Sequence, residues 1–356
     1  MLLPWGPIHA RLHGTLRQRL LLPKESRVLV AVSGGQDSLA LIRLLLDLRR
    51  KWSWALAIAH CDHRWRSDSA DNAAYVAQLA LGWDLPCYIK TVSDDQAAAI
   101  VSEAAARDWR YRQLFAVACA QGYTHIVTGH TASDRAETLL YNLTRGSGAE
   151  GLQALTWCRE LAYAGYGAAG EGPQLWLVRP MLSILRQETA QICAAYQLRI
   201  WNDETNWDLR YARSRIRQEL LPALKSFNPS IEQTLAQTAE VLQADVAYLE
   251  AQVDVLWPQV VEQVSDLQPP LDDLTRYRLH RSKLKAAPLA LRRRVLRRLL
   301  QQAGIAPSFK QIEALVSSVD AHNRSQTSPL YQDVVAQVED AWLTFKRLSS
   351  ERSSGR

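Results

Sequence analysis

The sequence predicts an α/β protein, a doubly wound parallel sheet followed by a smaller all-helical domain. Three observations predict it. Strand-like and helix-like segments alternate through the first half, a glycine-rich turn joins the first strand to a helix, and from Pro229 onward the apolar pattern is helical. Val28 to Val32 is a short, largely β-branched run, followed by an apolar-periodic stretch from Leu39 to Leu48. Ala55 to Ala59 and then Ser69 to Leu81 repeat the pair, and Tyr88 to Val92 and His125 to Thr128 continue it around a helix from about Glu103 to Ala120. This βαβα order needs crossover helices, which cover both faces of the sheet. Leu235, Leu242, Leu249 and Leu256 recur every seven residues, as in a long amphipathic helix, and Ser230 with Gln233 reads as its capping box.

Composition and length narrow the class. A chain of 356 residues is long for one core, and 47% hydrophobic with 22% charged residues is the balance of a globular protein. We expect an N-terminal helical extension over 1–22, a catalytic domain over 23–222, and a helical domain with a tail over 223–356. Apolar runs such as Trp54 to Ala59 are far below the roughly 20 residues of a membrane helix. The first residues do not form a secretory signal, so no membrane role and a cytoplasmic location are expected. Five cysteines without a CxxC pair have the usual form of neither a disulfide framework nor a metal knuckle. The net charge of +6 hides a sharp asymmetry. Lys225 to Asp273 holds one base and nine acids, whereas Leu274 to Ile312 holds eleven bases and no acid. The segment GYGAAG, 165–170, matches the dinucleotide-binding pattern, but Glu171, Gly172 and Pro173 follow it where that pattern needs a helix.

The most informative segment is SGGQDS, Ser33 to Ser38, directly after the first strand and before a helix. Two glycines let successive backbone N–H groups turn inward, and the helix N-terminus adds partial positive charge, so the turn suits phosphate oxygens. Asp37 would repel phosphate unless it holds a cation, for which Mg2+ is the economical choice. The Walker A pattern is absent.

SGGxDS is the signature of the pyrophosphate-loop ATPases, whose fold is of the adenine-nucleotide α-hydrolase-like type. Further segments narrow the resemblance. HCDHRWR, His60 to Arg66, resembles the Asp-His-x-Leu-Arg pattern of the lysidine synthetases, with Trp65 at the leucine position. Glu103, Arg107, Arg110 and Tyr111 match that family's Glu-x-x-x-Arg-x-x-Arg-Tyr helix. Thr128 to Gly148 resembles its His-x-x-Asp-Asp-Gln-Ala-Glu-Thr segment and the Arg-Gly-Ser-Gly after it. Arg179 to Leu182 and Trp201 to Pro222 match its Arg-Pro-Leu and Asp-x-(Ser/Thr)-Asn…Arg-x-x-Ile-Arg segments. The ordered set resembles tRNA(Ile)-lysidine synthetases.

The resemblance implies ATP-dependent joining of L-lysine to the wobble cytidine of a tRNA(Ile) with a CAU anticodon, through an adenylated base. ATP is the implied substrate, held by Ser33, Gly34, Gly35, Gln36, Asp37 and Ser38. Asp37, Asp134, Glu137, Arg107 and His130 are the candidate catalytic residues, and Asp37 and Asp134 the candidate Mg2+ ligands. Asp134 and Glu137, three apart at the start of a helix, suit either magnesium or a lysine ammonium. His60 and His63 flank Asp62 where a base could sit, and Arg145 with Gly146, Ser147 and Gly148 could close over an anion. Arg210, Arg213, Arg215 and Arg217, interleaved with Trp201, Trp207 and Tyr211, suit single-stranded RNA; Arg292, Arg293, Arg294 and Arg297 in the later basic block suit phosphate contact. A homodimer stays open.

Two departures bear on the metal and lysine contacts. Ser133 stands where the family has the first of two adjacent aspartates, and Arg135 replaces its glutamine. The chain leaves little room for the further C-terminal domain of longer members. A tRNA 2-thiolase of the same superfamily and a noncatalytic RNA- or nucleotide-binding module are the alternative readings.

Overall fold

The computed structural model describes residues 5–65, 67–100, 102–163, 174–201, 209–210, 212–264, 274–331 and 333–348. Arg66, GYGAAG at 165–170, Trp207, Tyr211 and the side chain of Glu103 lie outside the described residues. Two compact units divide the chain, Met1–Gln243 and Ala244–Arg356. The first unit therefore takes in 223–243, beyond the expected boundary at 222.

The first unit starts with helix α1, Pro7–Gln18, before strand β1, Arg27–Ala31, and helix α2, Gln36–Trp52. The chain continues through β2, Ala55–Asp62, α3, Ser69–Gly82, β3, Cys87–Thr91, α4, Asp94–Ala99, and α5, Glu103–Gln121. Next come β4, His125–Thr128, α6, Ala132–Thr144, α7, Ala149–Leu152, β5, Cys158–Leu161, β6, Leu175–Val178, and α8, Arg186–Ala195. Helix α9, Ala212–Arg215, leads through a π-helical turn at Ile216–Leu220 into α10, Leu221–Phe227, and then α11, Ile231–Val260.

Sheet order is β3-β2-β1-β4-β6-β5, parallel throughout except for β5, which pairs antiparallel with β6 at the edge. Side chains alternate across it. Val28, Val30, Ile58 and Val127 pack with Leu12, Leu41, Leu45 and Ile192 on one face. Leu29, Ala57, Ile126 and Leu177 pack with Leu114, Phe115 and Ala118 of α5 on the other. The doubly wound expectation is met in this arrangement of helices on both faces. Strand order reverses between β1 and β4, so the crevice at their carboxyl ends is where such a sheet receives ligands. SGGQDS and the start of α6 both lie there.

In the second unit, β7, Val261–Gln263, and β8, Tyr277–His280, are followed by α12, Arg281–Ala286, α13, Leu289–Gln302, and α14, Phe309–Asp320, then β9, Val334–Glu339, and β10, Trp342–Arg347. These strands form an antiparallel sheet ordered β7-β8-β10-β9. The all-helical expectation for this region is thereby corrected: the helices share a core with four strands. Leu296, Leu300 and Leu315 meet Leu279, Ala336, Val338, Leu343 and Phe345. Every second residue of β10 through Phe345 is buried, and Asp340, with φ of 51°, reverses the chain between β9 and β10. Strands this short do not interrupt a helical periodicity read over longer windows.

Arg135 explains why 223–243 belongs to the first unit. Only 1% of this residue is exposed, and its guanidinium donates to Glu240 at 2.6 Å and to Gln243 at 2.9 Å, while Trp157 donates to the same Glu240 carboxylate. A buried guanidinium is costly without its partner. We predict that Glu240→Ala lowers unfolding stability by about 3 kcal/mol, the scale of a broken buried pair. Equilibrium denaturation checks this, and Arg135→Met with Glu240→Leu should recover most of the loss.

Candidate active site

The glycine-rich turn has the conformation its sequence demands. Gly34 has φ of +85°, and a Cβ there would lie 2.3 Å from Oδ1 of Asn72, so both backbone and space require glycine. Ser38 Oγ accepts from the Ser33 amide at 3.2 Å and donates to the Gly35 carbonyl at 2.8 Å. Asn72 and the Trp201 amide cover one side by donating to the carbonyls of Ser33 and Gly34, each at 3.0 Å. The Gln36 side chain is turned to α8, donating to the Arg186 carbonyl at 2.7 Å and to Thr189 at 2.8 Å.

Helix α6 brings up the second half. Thr131 caps it, accepting from the Asp134 amide, while its own amide and hydroxyl donate to the Asp134 carboxylate at 2.7 and 2.8 Å. Asp134 therefore points back toward the carboxyl ends of the strands. Gly129 allows the close approach: a Cβ would lie 2.8 Å from the Asp37 carbonyl oxygen.

Arg186, the first residue of α8, joins the two halves. Its guanidinium donates to Asp37 at 3.2 Å, Asp134 at 2.5 Å and Glu137 at 2.8 Å. Arg217, in the π-helical turn, grips Glu137 with two further hydrogen bonds of 2.7 and 2.8 Å. Burial would raise the Asp134 pKa, but Arg186, then His130 and Thr131, outweigh it and hold the carboxyl below its usual range. Asp37 shifts upward, because burial and neighbouring Asp134 outweigh Arg186 and Thr189. Burial opposes charge on Arg186, yet the carboxylates of Asp134, Glu137 and Asp37 raise its pKa overall.

Other expected residues fall in distinct places. His130 hydrogen-bonds Thr128 at 2.8 Å, and burial followed by the positive field of Arg179 brings its pKa down to about 3, so the ring is neutral near pH 7. His60 is a satisfied core histidine, with Nδ1 2.8 Å from the Val32 carbonyl. His63 packs against Trp65 and Trp109 and accepts from Arg110, with its pKa pushed down to about 4 by burial and Arg110. Arg107 lies over Tyr111 rather than against the carboxylates. Arg145 donates to the Tyr141 hydroxyl.

Of the arginines expected to face RNA, Arg217 belongs to the carboxylate cluster. Arg215 pairs with Glu219 at 3.4 Å, Arg213 lies over Tyr141, and Arg210 is exposed. In the second unit Arg292, Arg293 and Arg294 meet Asp320, Glu313 and Glu250, while Arg297 lies on the same helix α13. Sequence reasoning did not single out Arg186 or Gly129. Arg186 follows the matched RPML segment at a helix start, where a base opposes the dipole; that local disagreement was the available signal.

The departures at 133 and 135 also find partners. Ser133 Oγ donates to Glu232 and accepts the Arg186 amide at 3.2 Å, so it supports the backbone of the central arginine. Arg135 points to Glu240.

Two outcomes follow from this geometry. The Arg186–Asp134 pair stabilises the fold above the usual carboxylate pKa and loses that contribution as pH falls through the depressed value. Arg186→Gln should move the acid limb of the kcat/KM profile to higher pH, because the opposite charge that holds Asp134 down is gone, and Arg186→Lys should restore part of the shift. Gly129→Ala should reduce kcat at least tenfold, about 1.4 kcal/mol, by forcing the start of α6 away from Asp37, while thermal unfolding remains cooperative.

Comparison with known proteins agrees with this construction. A PP-loop domain family matches residues 8–224, and a TilS substrate binding domain matches 279–338. The chain is 51% identical to a tRNA(Ile)-lysidine synthase of a Nostoc species over 98% of this chain and 99% of that one. It is 45% identical to one of a Synechocystis species, over 96% and 98% of the two chains. A U34-tRNA thiolase of Methanococcus maripaludis, 16% identical, shares the fold with a TM-score of 0.53 over 66% of this chain and 78% of its own. The chain belongs to the tRNA(Ile)-lysidine synthase family.

Proposed function

We propose that the protein catalyses ATP-dependent ligation of L-lysine to C2 of the wobble cytidine in tRNA(Ile) with a CAU anticodon. One observation carries the reading: the phosphate-loop aspartate and the Asp134–Glu137 pair share a single guanidinium, so a phosphate-handling centre and an amine-handling centre are one site.

The reaction has two displacements. The cytidine C2 oxygen attacks the α-phosphorus of ATP and pyrophosphate leaves; the lysine ε-amine then attacks C2 and expels AMP with that oxygen. Amides of the Ser33–Ser38 turn stabilise charge on the departing phosphates. Neutral His130 serves as a hydrogen-bonding group rather than a cation. Asp134, held below the usual carboxylate range, serves to hold and align the ammonium beside Glu137, and this carboxylate pair takes the proton that the ammonium loses before the amine attacks C2.

Asp37 and Asp134 are hard oxygen donors of the kind magnesium takes, and an ion there would share them with the Arg186 guanidinium that pairs with both. Among the described residues no cluster of three or more His, Cys, Asp or Glu side chains could enclose a metal, which suits an ion completed by phosphate oxygens. Bound there, magnesium would neutralise charge on the pyrophosphate.

The 2-thiolase alternative needs reactive sulfur. Cys61, Cys87, Cys119, Cys158 and Cys193 are all free thiols, and burial pushes Cys61 up to about 12 and Cys193 to about 11. Such thiols are poor nucleophiles. No helix among the described residues is long and apolar enough to cross a membrane, and we take the cytoplasm as the site of action.

The decisive experiment is pyrophosphate release. It should require ATP, the tRNA and lysine together, with lysine entering the RNA. Asp37→Ala should abolish incorporation; near wild-type incorporation by that variant would refute the mechanism.

A further inference from the structure

We infer that Arg107, Arg110, Arg159 and Arg179 form a phosphate-binding subsite beside the reaction centre, with Tyr111 at its middle. The inference rests on the proposed function and names how that site receives its anionic substrate.

Three elements converge to build it. Arg107 and Arg110 come from α5, Arg159 from β5, and Arg179 follows β6 directly. The guanidinium carbons of Arg107 and Arg159 lie 5.1 and 5.7 Å from the Tyr111 ring centre, and Arg179 lies close enough to the Tyr111 hydroxyl for the two to act on one another electrostatically. Exposure is graded: Arg110 and Arg159 are exposed, Arg107 half-buried, and Arg179 only 3% exposed. The set therefore runs from an open mouth to a closed floor, where Arg179 and His130 act on one another electrostatically and Asp134 acts on the same histidine.

What distinguishes this cluster is the lack of compensating negative charge among the described residues. Among the described residues no carboxylate forms an ion pair with any of the four. Elsewhere arginines find acids: Arg135 meets Glu240, Arg186 three carboxylates, Arg293 Glu313, and Arg298 both Glu250 and Asp254. Arg179 donates to the Thr156 carbonyl at 2.8 Å, but its buried Nε meets no acceptor. Burial, then the repulsion of Arg107 and Arg159, lowers the Arg179 pKa against the pull of Tyr111, and the surrounding arginines lower that of Tyr111 although burial opposes this. Four gathered guanidiniums repel one another and need an anion. A phosphate, with several oxygens and forked donors around it, answers that need better than one carboxylate.

Two phosphates are available, the RNA backbone beside the target base and the chain of ATP. Exposed Arg159 is the variant of choice, because its side chain makes no ion pair among the described residues and its replacement costs only the contact with the Tyr111 ring. For Arg159→Gln, tRNA(Ile) transcript binding across a salt series and the KM for ATP in pyrophosphate release are measured together. An RNA phosphate predicts a Kd for tRNA raised about fivefold to tenfold and a log–log salt slope smaller by about one, with the KM for ATP unchanged. An ATP phosphate predicts the reverse, a raised KM for ATP with tRNA binding unaltered. Arg110→Gln, also exposed, should behave as Arg159→Gln does. Unchanged tRNA Kd, salt slope and KM for ATP in both variants would overturn the subsite. Wild-type protein that releases no pyrophosphate with all three substrates would instead overturn the proposed function, and tRNA binding alone would then decide the subsite.

Discussion

Everything at the candidate site depends on one guanidinium. Arg186 sits at the first turn of α8 and reaches Asp37 on α2 and Asp134 and Glu137 on α6. Three carboxylates in a half-buried crevice would otherwise repel and take up protons. Its own position is fixed from two sides, with Ser133 accepting its amide and Gln36 and Thr189 donating to its carbonyl. The phosphate-loop helix, the acidic helix and α8 thus meet through a single residue. A small displacement of α8 would alter both ends of the site together.

Much of this was legible in the sequence. The strand Val28 to Val32 followed by SGGQDS located the crevice because a parallel strand, a glycine turn and a helix have one common arrangement. Asp134 and Glu137 were legible from their spacing at a helix start. Arg186 was not, because its partners lie about 50 and 150 positions away, and nothing local announces a pairing made only by the fold. The antiparallel sheet of the second unit was missed for a related reason: β9 and β10 are six residues each and follow a strongly helical region.

Charge counted along the chain proved a poor guide to charge available in space. The segment Leu274 to Ile312 holds eleven bases without an acid, yet Arg293, Arg294 and Arg298 are matched by acids on α14 and α11. Conversely, Arg107, Arg110, Arg159 and Arg179 are scattered through the first unit and come together around Tyr111. Solvated or paired arginines contribute little to recognition, whereas gathered, unmatched ones attract phosphate strongly.

Helix α6 presents two faces with separate duties. Asp134 and Glu137 look into the crevice, while Ser133 and Arg135 look toward Glu232 and Glu240. The residues that depart from the family pattern are thus coupled to acids a hundred positions later in the chain. Restoring glutamine at 135 by itself would leave Glu240 to Arg19 and the Trp157 indole, and restoring aspartate at 133 would set two carboxylates against each other at Glu232. These positions are best exchanged as matched sets, so a chimera joining α6 of one relative to α11 of another would carry its incompatibility in these two pairs, with Asp134 and Glu137 still in place.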